Sequence, residues 1–85
     1  MSYPIPDERE YHYIEVCRKF RSVGEIARVL IEPRDTAWRE VHRLVRKGWL
    51  AKHTDPEGTN RYSVTDEGAL AQQRFIDSLP PESDD

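Results

Sequence analysis

Apolar residues recur every three or four positions through the first third of the chain, which is the spacing of a helix with one buried face. Asp7 lies three residues before Glu10, a pairing that marks a helix start. The first helix is therefore predicted to run from Asp7 to about Phe20, with Tyr11 and Ile14 widening its apolar stripe. The core of that stripe is predicted to be Tyr13, Val16, Cys17 and Phe20.

A second, shorter helix is predicted directly after the first. Ser22 and Glu25 form another capping pair. Pro33 ends this helix because it forces the preceding residue toward extended geometry, and residues 32–35 then form a turn. The predicted buried side chains of the second helix are Val23, Ile26, Ala27 and Leu30.

A third helix is predicted to be capped by Asp35 or Thr36 and to end at Gly48, which takes the left-handed conformation. Its predicted inward residues are Ala37, Val41, Leu44 and Val45. Two short amphipathic helices joined by a tight turn form a helix-turn-helix unit. The second helix of such a unit is built to lie in a DNA major groove.

The periodicity then changes from helical to alternating, which predicts strands at residues 49–54 and 61–65. Turn-forming residues at 55–60 join them into a hairpin. Thr65 is predicted to cap a last helix, which Pro80 stops. The apolar residues of that helix are Leu70, Phe75, Ile76 and Leu79. The predicted fold is mainly α with a small β-hairpin, a winged helix-turn-helix.

The length of 85 residues, 36% of them hydrophobic, allows one small domain. We predict an extended lead at residues 1–6, the domain at 7–79 and an acidic disordered tail at 80–85. No apolar run exceeds three residues, so no membrane partner is expected. The first residues also lack the pattern of a signal peptide, and we expect a cytoplasmic protein.

Positive charge is concentrated in the middle of the chain. Residues 34–62 carry 7 basic and 4 acidic side chains, whereas residues 63–85 carry 1 basic and 6 acidic, and the whole chain has a net charge of −3. The basic middle includes the third helix and the hairpin, and a basic face of this kind is a candidate nucleic-acid surface.

The sequence offers no candidate catalytic or metal site. Cys17 is a single cysteine on an apolar stripe, predicted to be buried and inert. His12 lies five residues from Cys17 on another helical face, and neither His42 nor His53 has metal-ligand spacing. No nucleophile–base grouping or phosphate-binding loop is present. We expect no enzyme activity, no cofactor and no metal.

Three segments resemble the winged helix-turn-helix regulators of the MarR and PadR type. They are EIA at 25–27 in the second helix, RLVRKGWL at 43–50 and RYSVTDEG at 61–68. Together they fall within residues 22–68, at spacings that suit one domain. The resemblance implies a protein that binds operator DNA as a dimer and represses transcription.

The outward side of the third helix carries the candidate DNA-binding residues. Arg39, Arg43 and Arg46 lie along one helical edge, where arginine can read guanine or grip phosphate. The competing interpretation is a solvated face whose arginines pair with Glu40. Including the wing, the candidate residues are Thr36, Trp38, Arg39, His42, Arg43, Arg46, Lys52 and Arg61.

Trp38 departs from the family pattern, in which a small or polar residue is usual. It can stack on a sugar or a base methyl, anchor a protein partner, or be buried if the helix rotates. Trp49 is predicted to close the core beneath the wing. Arg61 matches the family's wing arginine, which approaches a minor groove or phosphate, although Asp55 and Glu57 in the same loop would repel phosphate.

The predicted function is sequence-specific binding of double-stranded DNA by a small transcriptional regulator, with a repressor favoured. The alternative is a winged-helix module that binds protein through its Trp38 face and does not bind DNA, and a more distant one is a subunit of a larger nucleic-acid machine. A homodimer through the first and last helices is also predicted, because one small core cannot absorb all of their apolar residues. The proposed dimer residues are Tyr11, Ile14, Phe75, Ile76 and Leu79.

Overall fold

Four helices and one β-hairpin follow one another in the predicted order over residues 5–80, the residues that the computed structural model describes. The elements are α1 (Glu8–Val16), α2 (Val23–Leu30), α3 (Arg34–Arg46), β1 (Leu50–Thr54), β2 (Asn60–Val64) and α4 (Asp66–Ser78). The predicted winged helix-turn-helix is confirmed. Residues 1–4 of the predicted lead and 81–85 of the predicted tail lie outside the described range. None of the helices in residues 5–80 is long and apolar enough to cross a bilayer.

Side-chain caps start three of the four helices where the sequence predicts them. The Asp7 carboxylate accepts a hydrogen bond from the Glu10 backbone N–H at 2.8 Å, and Ser22 caps α2 in the same way. Thr65 accepts from the Gly68 N–H at 2.9 Å. These caps satisfy backbone donors that the first turn of a helix leaves unpaired.

The predicted cap of α3 at Asp35 or Thr36 is wrong. The helix begins at Arg34, and its N-cap residue Pro33 makes no side-chain cap. The Ala37 N–H already donates to the Pro33 carbonyl at 3.0 Å, so helical hydrogen bonding starts earlier than the side-chain pattern indicates. The turn between α2 and α3 is correspondingly tight.

Helix α1 ends at Val16 and does not reach Phe20 as predicted. The following backbone is taken up by β2 instead: the Val64 N–H donates to the Cys17 carbonyl at 3.0 Å, and Arg21 and Tyr62 exchange two backbone hydrogen bonds. Phe20 is therefore 58% exposed, and its ring meets His53 of the wing at 4.9 Å. Its assignment to the core stripe is wrong.

The hairpin is antiparallel, and its register runs from Leu50 opposite Val64 to Thr54 opposite Asn60. Its loop is organised by Asp55, whose carboxylate accepts from two backbone N–H groups of the loop. Together with the predicted turn composition, these bonds explain why the two strands meet.

A single core lies between the helices and the inner side of the hairpin. It confirms the stripes predicted for α2 and α3 and the burial of Trp49 beneath the wing. Its members are Tyr13, Ile14, Cys17, Val23, Ile26, Ala27, Ala37, Val41, Leu44, Trp49, Leu50, Tyr62 and Ala71. Leu30 and Val45, at the edges of the predicted stripes, are partly buried against it.

Helix α4 meets the core through small and polar residues near its start, and not through its large apolar residues. Its buried residues are Gly68, Ala71 and Gln72. The helix lies so close to the start of the hairpin that a Cβ on Gly68 would stand 2.1 Å from the Trp49 carbonyl oxygen. Leu70 lies on the opposite side of the helix and is 57% exposed, whereas Ile76 and the C-cap Leu79, at the far end of α4, are 43% and 52% exposed.

The predicted dimer residues separate into three groups. Ile14 is fully buried in the core, so its assignment to a dimer surface is wrong. Tyr11 stacks on the half-buried Phe75 at 4.6 Å, which joins α1 to α4 within one chain. Ile76 and Leu79 remain exposed.

Candidate nucleic-acid interface

The outer face of α3 lines a cleft of about 440 Å³. Burial of Ala37, Val41 and Leu44 fixes the rotation of the helix, so that the intervening residues face away from the core. The structure brings six of the eight predicted site residues together in the lining of this cleft. The lining residues are Arg9, Thr36, Trp38, Arg39, Glu40, His42, Arg43 and Arg46.

Trp38 is 52% exposed, which excludes its burial by rotation of the helix. Its ring stacks on His42 with centroids 4.0 Å apart and an interplanar angle of 28°. His42 in turn meets the edge of Tyr62 at 5.7 Å, and Tyr62 is 1% exposed. Three aromatic rings thus run from the surface of α3 into the core under the hairpin.

The tautomer of His42 follows from its contacts. Nδ1 lies 2.8 Å from the Trp38 backbone carbonyl, which can only accept, so Nδ1 carries a hydrogen. Nε2 lies 3.4 Å from the Tyr62 hydroxyl. The histidine ring is thereby held from both ends, and it fixes the plane of Trp38 above it.

The three predicted arginines of α3 differ in their partners. Arg43 pairs with Glu40 and also with Glu10 at 2.9 Å, so the interpretation of a paired arginine applies to this residue. Arg39 donates only to the Asp35 backbone carbonyl at 3.5 Å. Within residues 5–80, neither Arg39 nor Arg46 has a carboxylate partner, so both guanidinium groups are available to an anionic ligand.

Glu10 is a charged residue that the sequence indicated only as a cap. It is 5% exposed, and its Oε2 accepts from Lys47 Nζ at 2.8 Å and from Arg43 at 2.9 Å. Burial by itself raises the pKa of Glu10, but hydrogen bonds from Lys47, the Asp7 backbone and Arg43 outweigh it, and the pKa is lowered. The carboxylate therefore stays charged and ties α1 to the end of α3.

The wing residues lie outside the α3 cleft. Arg61 donates to Glu25 at 3.0 Å and to Asp55 at 3.4 Å, which makes Asp55 a partner of this arginine. Backbone hydrogen bonding from Ser22 lowers the pKa of Glu25, and Arg61 adds to the effect. Lys52 is exposed on β1 and has no carboxylate partner among the described residues. The wing therefore offers less free positive charge than the sequence suggests.

A second cleft, of about 200 Å³, lies on the wing side of Trp38. It is lined by the starts of α2 and α3 and by the hairpin loop, including Arg34 and Asn60. The sequence did not single out either residue, because their approach to Trp38 depends on how the wing packs beside the helix-turn-helix unit. Trp38 is the one side chain of α3 that borders both clefts.

The remaining reactive side chains do not form a second site within the described part of the chain. Cys17 is fully buried as predicted, and burial raises the pKa of its thiol to about 12. No group of three or more histidine, cysteine or acidic residues in 5–80 could hold a metal ion.

Solved structures of MarR-type transcription regulators share this fold. PcaV from Streptomyces coelicolor, solved with its natural ligand, matches 89% of this chain with a TM-score of 0.75 at 25% identity. MarR from E. coli matches 82% with a TM-score of 0.75 at 20% identity. MepR from S. aureus, solved as a DNA complex, matches 86% with a TM-score of 0.73 at 18% identity.

These matches confirm the predicted resemblance to MarR-type regulators at the level of the fold. The chain spans 57% of PcaV, 55% of MarR and 63% of MepR, so it corresponds to little more than half of each regulator. No protein-family model and no curated protein sequence matches the chain.

Proposed function

We propose that this chain is a DNA-binding transcription regulator that places α3 in the major groove of double-stranded DNA and sets the hairpin beside it as a wing. The observation that carries the proposal is the outer face of α3, where Arg39 and Arg46 lie on the rim of one cleft without carboxylate partners in residues 5–80. Guanidinium groups held on a rigid helix are suited to guanine edges and phosphate.

The fold supports the same placement. MepR, which shares it, is solved in complex with DNA. Thr36 and Trp38 lie in the first half of α3, and the first residues of a recognition helix are the ones that reach base edges. Lys52 and Arg61 on the hairpin are then proposed as secondary phosphate contacts, with Arg61 exchanging its carboxylate partners for DNA.

The test is binding to labelled random-sequence duplex at low and moderate salt, followed by selection of a preferred duplex from the same pool. We expect affinity to fall steeply with salt, because phosphate contacts release counterions. Arg39→Ala should weaken binding to the selected duplex by about 1–3 kcal/mol. Its melting temperature should stay unchanged, because Arg39 is exposed and has no ion pair among the described residues.

Two matched variants complete the experiment. Arg28→Ala removes the same charge from an exposed position on α2 and should leave DNA affinity nearly intact. Arg43→Ala should weaken binding and also lower stability, because it removes a partner of the buried Glu10. Normal affinity in an Arg39→Ala, Arg46→Ala double variant that still folds would refute the assignment of α3.

We further propose that the protein acts as a homodimer and represses transcription in the cytoplasm by occupying its operator. A single recognition helix makes few base contacts. A dimer places two such helices about 34 Å apart, so that they contact two half-sites one turn of DNA apart. The residues proposed for pairing are the exposed apolar side chains of α4 and its C-cap, namely Leu70, Ile76 and Leu79. Phe75, which stacks on Tyr11 of α1, is the neighbour of Ile76 in the sequence.

Light scattering of the full chain over a range of concentrations tests the dimer. The expected mass is twice 10.0 kDa at high concentration. A variant with Leu70→Ser and Ile76→Ser should remain at 10.0 kDa and bind its selected duplex more weakly. A wild-type mass of 10.0 kDa at every concentration would contradict the proposal. To test repression, a reporter gene is placed downstream of the selected duplex. Expression of that gene should rise when the Arg39→Ala variant replaces the wild-type protein.

A protein-binding winged helix is the second candidate, and two observations favour it. Trp38 is a half-exposed aromatic of the kind that anchors protein interfaces. Arg43 and Arg61 are both engaged by carboxylates, and the chain has a net charge of −3. This candidate predicts no duplex binding at either salt concentration, so the same titration separates the two functions.

A further inference from the structure

The plane of the Trp38 ring is set by the residues beneath it. His42 stacks on one face of the indole, with the ring centroids 4.0 Å apart. His42 is itself hydrogen-bonded to the Trp38 backbone carbonyl and contacts the buried Tyr62. The indole therefore has a packed support on one side, and 52% of the residue still faces solvent. A ring supported in this way can bind an apolar group without first losing rotamer freedom.

The surroundings of this apolar surface are polar and cationic. Arg39 and Arg46 line the first cleft with it, and Arg34 lines the second. A phosphate-rich ligand can form ion pairs with those guanidinium groups. The indole is suited to pack against an apolar group placed between them. The major groove of DNA presents one such group, the C5-methyl of thymine, because the other groups that distinguish the base pairs there are hydrogen-bond donors or acceptors.

We propose that Trp38 is a specificity-determining residue that contacts a thymine C5-methyl group in the major groove, with His42 as its positioning residue. The inference rests on the proposed DNA-binding function and adds a base preference to it. Arg39 and Arg46 supply affinity through phosphate or guanine, whereas the supported indole distinguishes thymine from bases that lack a methyl group at that edge.

The experiment uses the full chain and a duplex selected on it from a random-sequence pool, synthesised once with thymine and once with deoxyuridine at every thymine position. Deoxyuridine keeps the base pairing and removes only the methyl groups. We expect selected duplexes to be enriched in thymine at one position of the site. Wild-type affinity should fall about fourfold for each contacted methyl that is removed, the equivalent of one buried methyl group.

A double-mutant cycle assigns the methyl effect to Trp38. Trp38→Ala should bind the thymine and deoxyuridine duplexes equally, and His42→Ala should show a reduced difference because the indole loses its support. Arg39→Ala is the matched control: it should bind both duplexes more weakly and retain the full difference between them. Circular dichroism melts of each variant establish that it is folded.

The outcomes distinguish failure of the Trp38 role from failure of the proposed DNA-binding function. Binding that is salt-dependent but identical for the two wild-type duplexes overturns the role of Trp38 and leaves the DNA-binding function intact. A methyl effect that persists in folded Trp38→Ala also overturns it. Absence of binding to any duplex overturns the proposed function and this inference together, and a protein partner then becomes the occupant of the Trp38 surface. The wild-type comparison needs no variant to fold.

Discussion

Helices α3 and α4 have the same length, 13 residues, yet they place their large apolar side chains in opposite ways. Helix α3 buries Val41 and Leu44 completely. Helix α4 buries Gly68 and Ala71 and leaves Leu70 57% exposed. Large apolar side chains of α3 fill the core, whereas small residues make the core contact of α4.

The difference shows that packing distance selects the size of the buried side chains. Helix α3 packs against α2 and the base of the hairpin. The distance between these elements leaves room for branched side chains. Helix α4 approaches the Trp49 carbonyl so closely that only a glycine fits, because a Cβ would lie 2.1 Å from the oxygen. Small residues therefore make its inner face, and its large apolar residues are left for a surface outside this core.

The largest expected effect comes from Leu44→Ala. Leu44 is fully buried, so the change should cost about 2–5 kcal/mol of unfolding free energy through lost contacts and a cavity. Leu70→Ala removes the same atoms from α4 and should cost less than about 0.5 kcal/mol, since that side chain is exposed. Chemical denaturation of both variants gives the values. Equal losses would mean that the two helices do not differ as described.

Gly68→Ala tests the close approach of α4. The added methyl meets the Trp49 backbone and a Val64 methyl at 2.9 Å, so the helix must shift, at an expected cost of about 1–3 kcal/mol. Gly24→Ala is the control within α2, where the nearest atom lies 3.9 Å away. That variant should be neutral or more stable by up to about 1 kcal/mol, because alanine favours helix. A Gly68→Ala variant as stable as the wild type would show that α4 is not fixed by this contact.

Glu10 makes the attachment of α3 to α1 sensitive to acid. Its pKa is lower in the folded chain than the ordinary 4.5, so its contribution to stability is present above pH 4.5 and is lost as the pH falls through the folded value. Glu10→Gln should cost about 1–2 kcal/mol at neutral pH through loss of its charged hydrogen bonds. It should also show a smaller decrease in melting temperature on acidification than the wild type. If the melting temperatures of the two proteins fell equally on acidification, the stabilising role of the Glu10 carboxylate would be contradicted.

The smallest effect is expected on the outer side of α4. Leu70→Ser with Ile76→Ser should change the unfolding free energy of the monomer by less than about 0.5 kcal/mol, because both side chains are exposed. Wild-type melting temperature should rise with protein concentration, since a second copy that binds only folded chains stabilises them. The double variant should melt at one temperature throughout. A concentration-independent wild type would leave these residues without the proposed dimer role.

The sequence determined the elements of this protein because their signals are local. Capping pairs such as Asp7 with Glu10 act over three residues, and Gly48 and Gly58 allow the positive φ that the end of α3 and the hairpin loop require. The stripe of α3 also gave the rotation of that helix, and with it the outward position of Arg39 and Arg46. The fold and the face proposed to bind DNA could be derived from these signals.

Tertiary structure alone decided which surfaces meet. The backbone after Cys17 pairs with β2, which ends α1 early and exposes Phe20, and no spacing within the first helix encodes that pairing. Arg43 lies on the same helical edge as Arg39, but Glu10, which lies 33 residues earlier in the chain, pairs with Arg43 and not with Arg39. The local sequence pattern indicates which residues favour burial or solvent. The distance between packed backbones decides which of those residues are buried and which charged side chains form pairs.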